Sequence, residues 1–174
     1  MSSFSTASVR KRLDTAKAGA TSEERGRLFE DLLKYIFESA PGALVVANQR
    51  NYFRTEQVDL AVSNGGAYPG LPDEFLVECK NYQEPVDSKS VGYFLFISLM
   101  RDAKLAVVVA LNGLTGNKEE STYAHSLALS ASAKGCRLVV LTEADILSLT
   151  SPDELAEILR ERWLAAWANG GIGI

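Results

Sequence analysis

Apolar residues at Leu28, Phe29, Leu32, Leu33, Ile36 and Phe37 fall at the three-and-four spacing of one helical face. Thr21-Ser22-Glu23-Glu24 reads as a capping box ahead of that stripe, and Pro41-Gly42 marks its stop. The period then drops to two. "ALVVANQRNYFR" predicts one or two strands, and "EQVDLAVS" another, with Val58, Leu60 and Val62 alternating against Asp59, Ala61 and Ser63. "NGGAYPGLPD" is a Gly/Pro turn region, after which "EFLVECKN" returns as a strand antiparallel to the last. Beyond Pro85 the pattern changes again. "DSKSVGYFLFISLMRD" reads as a buried helix capped by Asp87 or Ser88, and "KLAVVVALN" as a strand covered on both faces. "NKEESTYAHSLALSASAK" is a further helix ended by Gly135, and "CRLVVLT" a second buried strand. "SPDELAEILRERWLAAWA" opens on Ser151 as cap, Pro152 at the first helical position and Glu154 closing the box.

This order, a helix, an antiparallel strand group, then alternating helix and strand, predicts an α/β sandwich with a mixed central sheet flanked by helices. One domain is expected over residues 21–168, with a flexible arm at 1–20 and a flexible tail, "NGGIGI", at 169–174. No internal repeat is present.

Composition narrows the function classes. The 174 residues suffice for one core, and their formal net charge of -4 excludes a bulk basic surface while leaving room for a local basic groove. Cys79 and Cys136 stand far apart without cysteine neighbours, which argues against a disulfide framework or a zinc site and fits a reducing cytoplasm. His125 is the single histidine, so a multi-histidine metal site is excluded; it reads as a helix-surface residue. No apolar run reaches the length of a bilayer span, and "MSSFSTASVRKRLDTAKAGA" has no hydrophobic signal core. "GLTGN" lacks the lysine of a phosphate loop and reads as a strand-to-helix turn; Trp163 and Trp167 read as packing residues.

The chemistry lies in "FLVECKNYQ". Glu78 and Lys80 share one strand face because side chains alternate, while Cys79 points to the core. A hairpin-like return brings the carboxylate of Asp59 towards Glu78. Two carboxylates that close repel, and a hard divalent ion with oxygen ligands relieves the repulsion; the Cys79 carbonyl offers a further ligand. Lys80 then stands where it can orient or deprotonate water, or offset developing charge. Metal, carboxylate pair and lysine together suit phosphodiester hydrolysis. Taken alone, an ExK triplet is equally an exposed ion pair at a strand end. Arg50, Arg54 and Lys89 are candidate DNA contacts near the site, and Gln83 either touches a phosphate or is a loop polar residue.

Four features in order carry a resemblance: Gly26-Arg27-Leu28-Phe29-Glu30 on a helix, Asp59 in "EQVDLAV", Glu78-Cys79-Lys80 in "FLVECKN", and the crossover through "AVVVALNGLTG". Together they resemble the PD-(D/E)XK nuclease superfamily, and within it the Mrr-type restriction endonuclease catalytic domain, over roughly Thr21 to Leu149. Val58 stands where the superfamily name has proline. The resemblance implies a restriction-endonuclease-like sheet and a cytoplasmic Mg²⁺-dependent endodeoxyribonuclease, Mn²⁺ substituting. Asp59 and Glu78 would hold the metal, Lys80 would assist the attacking water, and Glu30 would be an auxiliary acid. The implied setting is restriction or defence against foreign DNA. The arm before Thr21 is too short for an added recognition module, so a homodimer or a partner protein is expected to deliver the DNA. Two other readings stay open: a non-catalytic DNA- or protein-binding module of the same fold, and a Holliday-junction, repair or RNA nuclease of the superfamily.

Overall fold

The computed structural model describes residues 4–50, 57–81, 83–114 and 117–174. Its centre is a six-stranded mixed sheet in sequential order. The strands β1 (Leu44–Arg50), β2 (Gln57–Ser63) and β3 (Glu74–Lys80) are antiparallel neighbours, and β4 (Leu105–Ala110), β5 (Arg137–Leu141) and β6 (Ile172–Gly173) continue parallel to β3. The β4 run "LAVVVA" is buried along its whole length, as a strand covered on both faces must be.

Helices cover both faces of the sheet. α1 (Thr6–Lys17), α2 (Ser22–Glu38), α5 (Glu143–Ser148) and α6 (Pro152–Asn169) share one apolar core with Leu60, Val77, Val107 and Val139. α3 (Ser88–Met100) and α4 (Lys118–Ala133) share the other with Leu76, Val108 and Val140. The alternation Leu76/Val77 across β3, carried into Glu78, Cys79 and Lys80, fixes which groups end up on which face. No helix among the described residues is long and apolar enough to cross a membrane.

Two expectations are corrected at the ends of the domain. The segment 1–20 is no loose arm: α1 is capped by the Ser5 hydroxyl, which accepts from the Ser8 amide, and buries Val9, Leu13 and Ala16 against α2. The tail 169–174 is no loose tail either: Gly170 takes the left-handed position that ends α6, and Ile172 then pairs with Leu138 as β6 and is buried. The short helix α5 was not foreseen. It carries a complete capping box, Thr142 with Asp145, which Arg162 of α6 clamps through two guanidinium bonds to the Asp145 carboxylate at 2.6 and 2.8 Å. The box expected at Thr21 is half made. The Thr21 hydroxyl accepts from the Glu24 amide, while the Glu24 carboxylate reaches back to Ala20. The same holds for Ser151, since the Glu154 carboxylate bonds Thr150 instead.

The turn between β2 and β3 is built, not slack. Buried Asn64 donates to the carbonyls of Tyr68, Leu71 and Pro72 and accepts from the Tyr68 amide at 2.6 Å. Tyr68 in turn sits against Phe37 and Phe75 and donates its hydroxyl to the Phe37 carbonyl at 2.7 Å. Gly42 and Gly65 both have positive φ, and a Cβ on Gly65 would meet the Gly42 carbonyl oxygen at 2.1 Å, so the turn and the α2–β1 loop touch backbone to backbone. This closure sets the register Leu60 opposite Val77, and with it the distance between Asp59 and Glu78.

Candidate functional site

The β2–β3 ladder ends at Leu60–Val77, one step before Asp59 and Glu78 would face each other. On the other side of β2 the ladder also skips a step. Ala47 pairs with Leu60 and Gln49 with Val58, but Asn48 takes a left-handed φ of 53° and does not pair with Asp59. Asp59 is thereby released from both neighbours. Its Oδ2 accepts the Cys79 backbone N–H at 2.8 Å, which ties the carboxylate to the end of β3.

Lys80 Nζ lies 2.7 Å from Glu78 Oε1, an ion pair with side chains only 17% and 15% exposed. It is therefore not the solvated pair that an ExK triplet most often makes. Glu30 comes from α2, on the turn after Gly26, and the Asn48 side chain opposes the upward push of burial on its carboxyl. Asn48 also accepts from Gln57 Nε2 at 2.9 Å, and Gln57 accepts from Arg50 Nε at 3.2 Å. Asn81, the residue after β3, donates from Nδ2 to the carbonyls of Ala16 and Arg25, joining the ends of α1 and α2 to the strand.

These groups border a cleft of about 650 Å³ lined by Glu30, Asp59, Cys79, Lys80, Asn81 and Gln83, with Arg25, Gly26 and Ser90 on its walls. Glu78 does not line the cleft itself; it stands behind Lys80. Arg50 and Lys89 are also outside the lining, and Arg54 lies outside the described residues. A smaller, more apolar hollow at the opposite end of the sheet, lined by Leu44, Val46 and Leu76, holds none of the candidate chemistry.

The electrostatics are those of crowded acids. Burial, then the Asp59 charge, push the Glu78 carboxyl up to about 7, with Lys80 opposing. Burial raises Asp59 above its ordinary value, against the Cys79 N–H and Lys80. Burial also raises Glu30; the Asn48 bond lowers it and the Asp59 charge pushes it up again. Burial raises the Cys79 thiol well above its usual range, so Cys79 is a packing residue and offers at most its carbonyl. Lys80 supplies one positive charge against three carboxylates, so the ionised cluster is net negative. Hard oxygen donors with unbalanced negative charge fit a divalent cation. No three His, Cys, Asp or Glu side chains among the described residues already converge as a ligand set.

Asn48 and Asn81 were not singled out by sequence, and Gly26 was read only as the start of the helix motif, with no role of its own. Asn48 carried a signal, since asparagine inside a strand pattern tolerates the left-handed region. Gly26 sits in a helix interior with nothing within 4 Å of where a Cβ would be, so packing does not require it. No protein-family model matches this chain, and no curated protein sequence matches it.

Proposed function

We propose that the chain is a metal-dependent endodeoxyribonuclease with a restriction-endonuclease-like fold of the PD-(D/E)XK kind, acting in restriction or defence against foreign DNA. The observation that supports this most is the meeting of residues from three separate motifs: Glu30, Asp59 and Lys80 line one cleft, and Glu78 is paired to Lys80 at 2.7 Å.

The carboxylates of Asp59 and Glu78, with the Cys79 carbonyl, are the groups that would hold Mg²⁺ or Mn²⁺. Such an ion supplies Lewis-acid polarisation of the phosphodiester and a more acidic water. The chain's own groups do the rest. The Cys79 N–H fixes the rotamer of Asp59. Lys80 donates hydrogen bonds to the attacking water or to a non-bridging phosphate oxygen and offsets the charge that builds on phosphorus. Glu30, on the cleft lining, would accept a hydrogen bond from the same water. The water oxygen bonds to phosphorus as the bond from phosphorus to the sugar oxygen breaks; the proton of the attacking water passes to the Glu30 carboxylate, and a solvent water protonates the departing sugar oxygen. Gln83, at the cleft rim, is placed to touch an adjacent phosphate.

One site cuts one strand, so a double-strand break calls for a second copy or a partner. Most of the α3 helix is committed to its own sheet through Val91, Phe94, Leu95 and Ile97, but Tyr93, Phe96 and Met100 stay exposed along one stripe. Light scattering at micromolar concentration is expected to give twice the chain mass; a monomer that makes double-strand breaks unaided would contradict the pairing. The substrate class is tested by incubating the purified chain with plasmid, methylated plasmid, branched DNA and RNA in Mg²⁺ or Mn²⁺. Metal-dependent cutting of duplex DNA is expected. Cutting confined to RNA or to junctions would move the chain to another branch of the superfamily, and binding without cutting would make it a non-catalytic module.

A further inference from the structure

α1 concentrates positive charge on an acidic chain. It carries Arg10, Lys11, Arg12 and Lys17 against Asp14 alone, and all four cations are exposed. The acid excess lies elsewhere: α6 bears Asp153, Glu154, Glu157 and Glu161 against Arg160 and Arg162. Two of the α1 cations are held in place. Arg12 lies over the Tyr35 ring at 4.7 Å, and Lys17 pairs with Glu143 at 2.7 Å. Arg10 and Lys11 make no ion pair among the described residues and keep their charge for an outside partner. A groove of about 350 Å³ runs between α1 and α2, lined by Ser8, Lys11, Arg12 and Thr15 with Leu28 and Asp31.

The helix points at the cleft. Its last turn is tied there by Asn81, whose Nδ2 donates to Ala16 O at 3.3 Å. Lys11 and Arg10 stand five and six residues back, about 8 and 9 Å along the axis at a rise of about 1.5 Å per residue. That equals roughly two to three phosphate steps along one strand of a duplex. α1 has no aromatic side chain on which unstacked bases could lie, so a single strand finds no platform.

We propose that α1 is the phosphate-tracking surface of this domain and seats the backbone of a DNA duplex beside the cleft. This rests on the nuclease reading above and identifies the surface that holds its substrate. Anchoring α1 on the core through Val9, Leu13 and Ala16 gives the cations a rigid base, which a loose arm would not.

The test is duplex affinity against salt concentration, in EDTA so that nothing is cut, using a fluorescent duplex of roughly 20 base pairs. Arg10→Gln/Lys11→Gln is compared with Lys118→Gln/Lys134→Gln, which removes the same charge from the two ends of α4 on the other layer. The α1 pair is expected to make the log–log salt slope shallower by about 2 and to weaken binding about tenfold near 0.1 M salt. The α4 pair is expected to leave both close to wild type. Melting curves of both variants should match wild type because all four side chains are exposed. Equal losses in the two double variants would overturn the proposal in favour of net charge. Duplex binding that survives the α1 changes would overturn it while leaving the nuclease reading standing. A wild-type chain that binds no duplex would also overturn it, while the nuclease reading stands or falls on plasmid cutting in Mg²⁺.

Discussion

Lys80→Gln is expected to slow phosphodiester hydrolysis by roughly three orders of magnitude, the usual scale for losing a charged donor aimed at a transition state. Glutamine is the informative replacement. Lys80 Nζ is 2.7 Å from Glu78 Oε1, and both side chains are largely buried. Alanine would leave the Glu78 carboxylate without a donor and mix a folding defect into the kinetics. The glutamine amide still donates to Glu78, so the melting temperature should stay near wild type while activity falls. Asp59→Asn belongs to the same experiment. Its amide oxygen still accepts the Cys79 N–H that Asp59 Oδ2 accepts at 2.8 Å, so the end of β3 keeps its shape and only the charge is lost. Single-turnover rates on a plasmid check both variants. Either one cutting within about tenfold of wild type would remove its residue from the chemistry.

Glu78→Gln is expected to raise stability, and only at neutral and alkaline pH. The Glu78 carboxyl is pushed up to about 7 from its ordinary 4.5, so the folded chain prefers it protonated. The sign follows from proton counts. Between those two values the folded state binds more protons than the unfolded state, so stability falls as pH rises through the window. The cost is absent below the lower value and complete above the upper one. At about 1.4 kcal/mol per pH unit it amounts to roughly 3 kcal/mol, less whatever Lys80 loses when its partner becomes neutral. A gain of about 5 °C in melting temperature near pH 8, vanishing towards pH 4.5, is the expected pattern. Mg²⁺ should stabilise the wild type at pH 8 and the variant much less, since the ion and the substitution relieve the same repulsion. A variant that melts below wild type at pH 8, or a difference that ignores pH, would show that the Glu78 charge is already balanced in the folded chain.

The parts of the site that obey simple periods could be read directly. Period two along "EFLVECK" placed Glu78 and Lys80 together and turned Cys79 inward, and the Gly/Pro turn implied the antiparallel return that brings Asp59 near. Asp87 and Ser151 were legible as caps because a short polar side chain ahead of an apolar stripe is the one place that chemistry is wanted. What escaped was local conformation and short segments. The left-handed turn at Asn48 goes with a side-chain bond from Gln57 on the next strand, which no period in the sequence announces. β6 is two residues long and α5 six, too short for any period to register. α1 could have been found. Val9, Leu13 and Ala16 repeat at four and three, but their place at the start of the chain was read as a flexible arm. That misreading hid the basic surface beside the cleft.

Nicking of supercoiled plasmid by the purified wild-type chain, run beside Asp59→Asn with Mg²⁺, Mn²⁺, Ca²⁺ or EDTA, tests the proposed nuclease site most directly. Open circles should accumulate with the wild type in Mg²⁺ and Mn²⁺ only, and be absent with the variant in every ion. A wild type that leaves the plasmid intact in all four conditions, or a variant that nicks as fast as the wild type, would contradict hydrolysis at Asp59, Glu78 and Lys80.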